Sequence, residues 1–316
     1  MTKPARATNS GKFNDPDITA EGAPRAQVAL TTLETLWFAT GTLCNLACSH
    51  CYIESSPTND RLAYLSLAEV SGYLDEIAAC GLPTREIGLT GGEPFMNPDI
   101  LPILQTCLKR GFSVLLLSNA MRPMQRPRVQ EGLLALQKEY PGQLTIRVSL
   151  DHYAQDRHER ERGADSWSPA IAGLQWLSQN GFRIAVAGRS RWEEGDADMR
   201  AGFARLFAET GIRIDAADPA ALVLFPEMDE TAEVPEITTA CWDILDKKPE
   251  TMMCATSRMV VKDKGADSPH VVACTLLPYD RRFAMGNTLA QAGRPIKLNH
   301  PHCAKFCVLG GASCSA

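Results

Sequence analysis

The chain has 316 residues, 45% of them hydrophobic and 22% charged, enough for a large apolar core without covalent staples. A net charge of −5 is the wrong sign for a protein that binds along a nucleic-acid backbone, so no nucleic acid is expected as a partner. No apolar run approaches the ~20 residues needed to cross a bilayer, and the N-terminus has no apolar stretch of the signal-peptide kind, so no membrane partner is expected.

Residues 1–34, rich in Pro, Gly, Asn, Asp and Ala, read as a disordered leader. A first strand is expected over 36–39, followed by a loop holding Cys44, Cys48 and Cys51. Ser66 opens a helix with a capping box to Glu69; Leu67, Val70, Leu74 and Ile77 recur at helical spacing, and Gly81 sits where a C-terminal cap belongs. A second strand over 86–90 runs into Gly91-Gly92-Glu93-Pro94. Asn97 and Pro98 start the next helix, which Gly111 ends. Further strands are expected at 114–117, 145–150, 184–187 and 222–225, with helical patterns between them. Six strand–helix alternations predict an α/β fold with a parallel sheet, a partial (βα)6 TIM-like barrel over 35–228.

The rhythm changes after about Phe225. Apolar runs at 259–261 and 270–273 flank Lys264-Gly265-Ala266-Asp267, the pattern of a hairpin with a polar turn. Cys254 precedes this hairpin, Cys274 closes it, and Cys303, Cys307 and Cys314 follow in a glycine-containing tail. Residues 229–316 are therefore expected to form a small domain that needs a metal to hold it.

Eleven cysteines without an export signal point to the cytoplasm, where metal or redox chemistry explains clustered thiols better than disulfides do. Three thiols directly after the first strand lie at the C-terminal face of the sheet, where such folds place their chemistry. A closed zinc site takes four ligands; three thiolates leave one position open, and a four-iron cluster so held would have one iron free for a reactant. The competing reading of this group is a structural zinc knuckle. Cys80, Cys107 and Cys241 read as small buried hydrophobes. His300 and His302 read as an exposed polar loop, with a cluster ligand as the alternative for either. The charged run 157–162 reads as a solvated helix end, Arg162 apart, and Arg189 and Arg191 face either an anionic substrate or solvent.

Cys44-x3-Cys48-x2-Cys51 resembles the signature of radical S-adenosylmethionine (radical SAM) enzymes. The resemblance implies a [4Fe–4S] cluster on these three residues, whose open iron chelates S-adenosylmethionine (SAM), and a 5′-deoxyadenosyl radical that takes hydrogen from substrate. Gly91, Gly92, Glu93 and Pro94 are similar to the family's GGEP motif, which meets the SAM ammonium. Ser118-Asn119 after the third strand, and Ser149 and Asp151 after the fourth, resemble segments that reach the SAM ribose and carboxylate. His158 to Gly163, followed by Trp167, is similar to a His-Asp-x-x-Arg-Gly stretch of subfamilies with extra clusters, with Glu159 in place of the aspartate. Arg162 would then pair with the SAM carboxylate.

The C-terminal segment resembles the "twitch" form of the SPASM auxiliary-cluster domain, with Met285-Gly286-Asn287-Thr288 in the expected order. That implies a second [4Fe–4S] cluster on Cys254, Cys274 and two of Cys303, Cys307 and Cys314, structural zinc being the alternative. No catalytic side chain is assigned beyond the cluster. The substrate is expected to be a small metabolite, because some 35 residues before the first strand leave little room for a folded peptide-recognition domain. A peptide maturase is the alternative, and a non-catalytic iron–sulfur or zinc module a second one. A reductant such as flavodoxin or ferredoxin is the expected partner.

Overall fold

The computed structural model of the chain describes residues 11–227 and 233–312. In chain order the strands are β1 (Gln27–Val28), β2 (Thr35–Ala39), β3 (Glu86–Thr90), β4 (Ser113–Ser118), β5 (Leu144–Ser149), β6 (Arg183–Ser190), β7 (Leu222–Pro226), β8 (Ser257–Val261), β9 (His270–Val272), β10 (Ala284–Gly286) and β11 (Ile296–Lys297). The helices are α1 (Leu67–Ala79), α2 (Ile100–Lys109), α3 (Pro127–Glu139), α4 (Gln155–Arg162), α5 (Trp167–Gln179), α6 (Asp196–Thr210) and the single turn α7 (Cys241–Ile244). A π-helical stretch, Cys303–Leu309, follows β11.

Strands β2 to β7 lie side by side and parallel, with β7 as an open edge: the predicted partial barrel. Their apolar runs are continuous because both faces are covered, helices outside and packed side chains inside. In β2 all five residues are buried, with Trp37 and Phe38 among the largest fully buried side chains. Helix α1 starts as its sequence predicts: the Glu69 amide donates to Ser66 Oγ at 3.3 Å, and the Ser66 amide donates to Glu69 Oε2 at 2.8 Å. Such a reciprocal cap contributes roughly 1 kcal/mol. Gly81 follows the Cys80 cap with φ +59°, the left-handed conformation expected just past a helix end. Cys107 is buried, but Cys80 is exposed, contrary to expectation, because the chain leaves the helix at that residue.

The expected hairpin is present as antiparallel β8 and β9, and β10 extends it. The sequence does not reveal that β8 also pairs in parallel with β2, from Thr35↔Ser257 to Phe38↔Val260, which carries one nine-stranded sheet across the expected boundary at 228. Val260, Val261, Val271 and Val272 accordingly join the same core as the barrel. The disordered leader expected over 1–34 is corrected from residue 11 onward. β1 pairs antiparallel with β11, Phe13, Ala26 and Val28 are buried, and buried Arg25 ion-pairs with Glu236 at 2.5 Å. Residues 1–10 of that segment lie outside the described residues. Among the described residues no helix is long and apolar enough to cross a membrane.

Candidate active site

The C-terminal ends of β2 to β7 open into a cavity with an empty volume of about 1110 Å³. Cys44, Cys48 and Cys51 line it, together with Gly91, Gly92, Ser118, Asn119, Ser149, Asp151 and Arg162. Nearly every residue singled out from the barrel sequence thus meets in one place. Glu93 and Pro94 stand behind the wall.

The cysteine loop is held in register by the Gly91-Gly92-Glu93 segment. The Gly92 amide donates to Gly41 O at 2.7 Å and the Glu93 amide to Leu43 O at 3.1 Å, so the motif runs as a short backbone ladder beside the loop that carries Cys44. A Cβ on Gly92 would lie 2.1 Å from Leu43 O, and one on Gly91, at φ +148°, would lie 2.4 Å from Gly41 O. Both glycines are needed for this backbone-to-backbone approach.

Glu93 follows these two glycines. Its carboxylate is only 2% exposed and faces inward, accepting from Ser118 Oγ at 2.9 Å, from the Asn119 amide at 2.8 Å and from the Phe95 amide at 3.2 Å. It clamps the β3 and β4 loops together, and Pro94 opens the buried turn that follows. Burial pushes the Glu93 carboxyl up to about 7, against the three donors and the more distant Arg162, which pull it down.

Two amides point at the sulfurs: Leu46 N donates to Cys44 Sγ and Ser55 N to Cys51 Sγ, each at 3.4 Å. Asn119 Nδ2 lies 3.9 Å from Cys44 Sγ and donates to Asn45 Oδ1 at 2.9 Å. Burial pushes the Cys44 thiol up to about 12 and raises Cys48 as well, with Arg162 and Arg189 pulling Cys48 the other way. Thiols this buried ionise in favour of a bound metal, which supplies the missing positive charge. Three cysteine sulfurs on one cavity rim, two of them already receiving amide N–H groups, fit an iron–sulfur cluster held by three thiolates. Among the described residues no three Cys, His or carboxylate groups form a ready cage for a single ion.

Arg162, at the end of α4, closes on Asp151: Nε lies 2.8 Å from Oδ2, and Nη2 donates to Oδ1 at 3.1 Å. Arg189 Nε is 3.5 Å from Asp151 Oδ1, and its Nη2 donates to His50 O at 2.9 Å. Burial raises the Asp151 carboxyl, but the two guanidinium groups outweigh it and hold it below the ordinary carboxylate range. Arg191, just past the end of β6, which carries Arg189, is engaged by Glu161 at 2.8 Å and Glu227 at 3.4 Å, so the arginines left open between cavity and surface belong to the site's framework.

Two functional positions escape the sequence. Buried Glu161 accepts from His50 Nδ1 at 2.7 Å and from Arg191 Nη1 at 2.8 Å, while Ser49 N donates to Glu161 O at 2.8 Å, so α4 grips the loop between Cys48 and Cys51. Tyr279 donates to Ile53 O at 2.7 Å with the Arg61 guanidinium 3.6 Å above its ring, tying the C-terminal part to the same loop. Both join segments more than a hundred residues apart, and no local pattern marks them.

A second cavity, about 420 Å³ of empty volume, is lined by Cys254, Cys274, Cys303 and Cys307. Leu276 lines both cavities. Burial raises the Cys254 thiol to about 11 and Cys303 well above its ordinary range; the Cys274 and Cys254 sulfurs raise Cys303 further. Cys314 lies outside the described residues. His300 and His302, expected in an exposed loop, are 9% and 1% exposed: their rings pack 4.9 Å apart, His300 lies against Phe283, and His302 lines this second cavity.

Comparison with known proteins agrees with this geometry. The model of the Radical SAM superfamily matches residues 39–189, from the end of β2 into β6. The chain is 31% identical over 158 residues to the antilisterial bacteriocin subtilosin biosynthesis protein AlbA of Bacillus subtilis, covering 48% of this chain and 33% of AlbA. It is 27% identical over 278 residues to the mycofactocin maturase MftC of Mycobacterium ulcerans, covering 79% of this chain and 70% of MftC. Streptococcus suis SuiB bound to S-adenosylmethionine superposes with a TM-score of 0.59 at 12% identity, over 81% of this chain and 63% of SuiB. The chain thus spans about a third of AlbA and somewhat under two thirds of SuiB. On the cysteine signature and the family match together, residues 39–189 of the chain form a domain of the Radical SAM superfamily.

Proposed function

We propose that this enzyme binds a [4Fe–4S] cluster on Cys44, Cys48 and Cys51 and SAM in the cavity beside them, and removes hydrogen from a peptide or protein side chain. One observation carries the reading: the three sulfurs share a single cavity with Gly91, Gly92, Ser118, Asn119, Ser149, Asp151 and Arg162. When bound, the cluster and SAM supply the family's chemistry, a reductively generated 5′-deoxyadenosyl radical.

The chain's own residues position and enclose. Glu93 fixes the two loops that frame the cavity, and Asp151 holds the Arg162 fork toward the sulfurs, where it can meet a carboxylate. Phe225 and Phe306 stack with centroids 5.7 Å apart and, with Leu276, give the cavity an apolar wall that excludes water from a radical. Cys254, Cys274, Cys303 and Cys307 would hold an auxiliary [4Fe–4S] cluster on the far side of Leu276, placed to take up an electron or to orient substrate. A flavodoxin or ferredoxin is the reductant in this reading. A cytoplasmic location is part of this reading, since clustered cysteines are kept reduced there.

The likeness that runs through most of the chain is to a maturase, and AlbA is named for bacteriocin biosynthesis, which favours a peptide substrate. A small metabolite is the second reading. What favours it is enclosure: Leu276 and Phe306 of the C-terminal part wall the same cavity as Cys44.

Anaerobic reconstitution with iron counting, then assay of 5′-deoxyadenosine from SAM under a strong reductant, tests the proposal. Native protein is expected to give the nucleoside, and Cys48→Ala to give none. Equal output from both would overturn it.

A further inference from the structure

Arg258, on β8, is 0% exposed. Its guanidinium is held entirely by carbonyls: Nε donates to Ala292 O at 2.9 Å, Nη1 to Cys254 O at 2.6 Å and Ser257 O at 2.7 Å, and Nη2 to Arg294 O at 3.4 Å. Among the described residues no carboxylate pairs with it. The side chains whose charge acts on it are Cys254 and Cys274. A guanidinium stays protonated in proteins, and burying it without a counter-anion costs several kcal/mol. The fold therefore maintains a fixed positive charge behind Cys254, one of the residues lining the second cysteine cavity, with neutral dipoles as its hydrogen-bond partners.

We propose that Arg258 is the built-in counter-charge of the auxiliary centre, a positioning residue that stabilises the thiolates of Cys254 and Cys274 once metal is bound and makes the centre easier to reduce. The inference rests on the auxiliary-cluster reading above. Each thiolate brings a negative charge that the metal core does not fully cancel, and reduction adds another, so a buried cation nearby favours the reduced state. The carbonyl cradle matters because it keeps the guanidinium from swinging out to solvent when the cavity is empty.

The test compares Arg258, Arg258→Lys and Arg258→Met in reconstituted full-length protein carrying Cys48→Ala, so that the first cluster's signal is absent. Iron counting comes first. No iron in the Cys48→Ala protein overturns both the auxiliary-cluster reading and this inference. With iron present, EPR-monitored redox titration is expected to show a more negative midpoint potential for Arg258→Met and a smaller shift for Arg258→Lys. A chelator is expected to strip iron several-fold faster from Arg258→Met. Melting of the metal-free proteins separates a structural role: Arg258→Met removes an uncompensated buried charge but leaves four carbonyls without their donor, two effects of opposite sign, so it should melt close to its parent. An unchanged potential and unchanged iron loss overturn this inference alone. A lower melting point in the metal-free state would assign the guanidinium to folding instead.

Discussion

Arg162 and Asp151 lie across the cavity rim from one another in sequence terms but form one unit in space, with Nε 2.8 Å from Oδ2 and both side chains largely buried. Removing one partner of such a pair leaves the other charge uncompensated, at a cost of roughly 3–5 kcal/mol. Asp151→Ala should therefore lower the melting temperature and weaken SAM binding together, while Arg162→Lys, which keeps the charge but loses the fork, should weaken SAM binding at least tenfold with little change in melting. Equilibrium dialysis with SAM and a thermal melt separate the two. Because Asp151 is held below its ordinary range, its stabilisation is complete above about pH 4–5 and is lost as pH falls through the lower folded value.

The two motif glycines make distinct predictions from an ordinary capping glycine. A methyl on Gly92 meets the Leu43 carbonyl oxygen at 2.1 Å and the carbonyl carbon at 2.6 Å, backbone atoms that cannot rotate aside. Gly92→Ala should therefore push the cysteine loop away from β3 and reduce iron incorporated on reconstitution. Gly81, by contrast, has open space around it and only its φ of +59° to strain, so Gly81→Ala should cost about 1 kcal/mol and leave iron content unchanged. Iron per chain for the two variants, side by side, checks this.

How much of this was legible beforehand follows from the range of each interaction. The six barrel strands show as continuous apolar runs because parallel strands are buried on both faces, and α1 shows because its cap and its apolar stripe are local. Most of the cavity residues follow because they sit at or soon after the C-terminal end of a strand, Arg162 at the end of α4 apart. What stayed hidden is long-range: the β2–β8 pairing, the return of residues 11–34 onto β11, and the hold of Glu161 on His50 across 111 positions. The inward hold of Glu93 on Ser118 and Asn119 was also hidden, since a motif gives a residue's position and not the direction of its side chain. The burial of His300 rests on a contact with Phe283, and the π-helical stretch that begins just after His302 is announced by no periodicity.

Glu161 offers a test of that hidden grip. Its two oxygens reach His50 at 2.7 Å and Arg191 at 2.8 Å, and it is buried, so Glu161→Ala leaves Arg191 short of a partner and the segment between Cys48 and Cys51 less restrained. Expected are a loss of about 2–4 kcal/mol in stability and faster release of iron to a chelator from the reconstituted enzyme. Glu161→Gln keeps an acceptor and should fall between. Chelator kinetics indistinguishable from native for Glu161→Ala would show that the loop is ordered without it.

The buried carboxyl of Glu93 predicts a pH dependence of unusual sign. Burial raises it to about 7, so between its unfolded value near 4.5 and that point the folded state binds more protons than the unfolded state. Stability contributed by this group is then greatest at low pH and declines as pH rises from about 4.5 to about 7, by on the order of 3 kcal/mol. Asp151 works in the opposite direction but finishes by about pH 5, leaving the interval from 5 to 8 to Glu93 among these two. Glu93→Gln removes the titration while giving up some acceptor capacity toward the Asn119 amide and Ser118 Oγ. The variant should be less stable than native at pH 5, with the gap narrowing by pH 8. Denaturant melts of the metal-free protein at the two pH values measure the gap, and a gap that stays constant or widens would mean that Glu93 is already ionised throughout, held as an anion by its three donors.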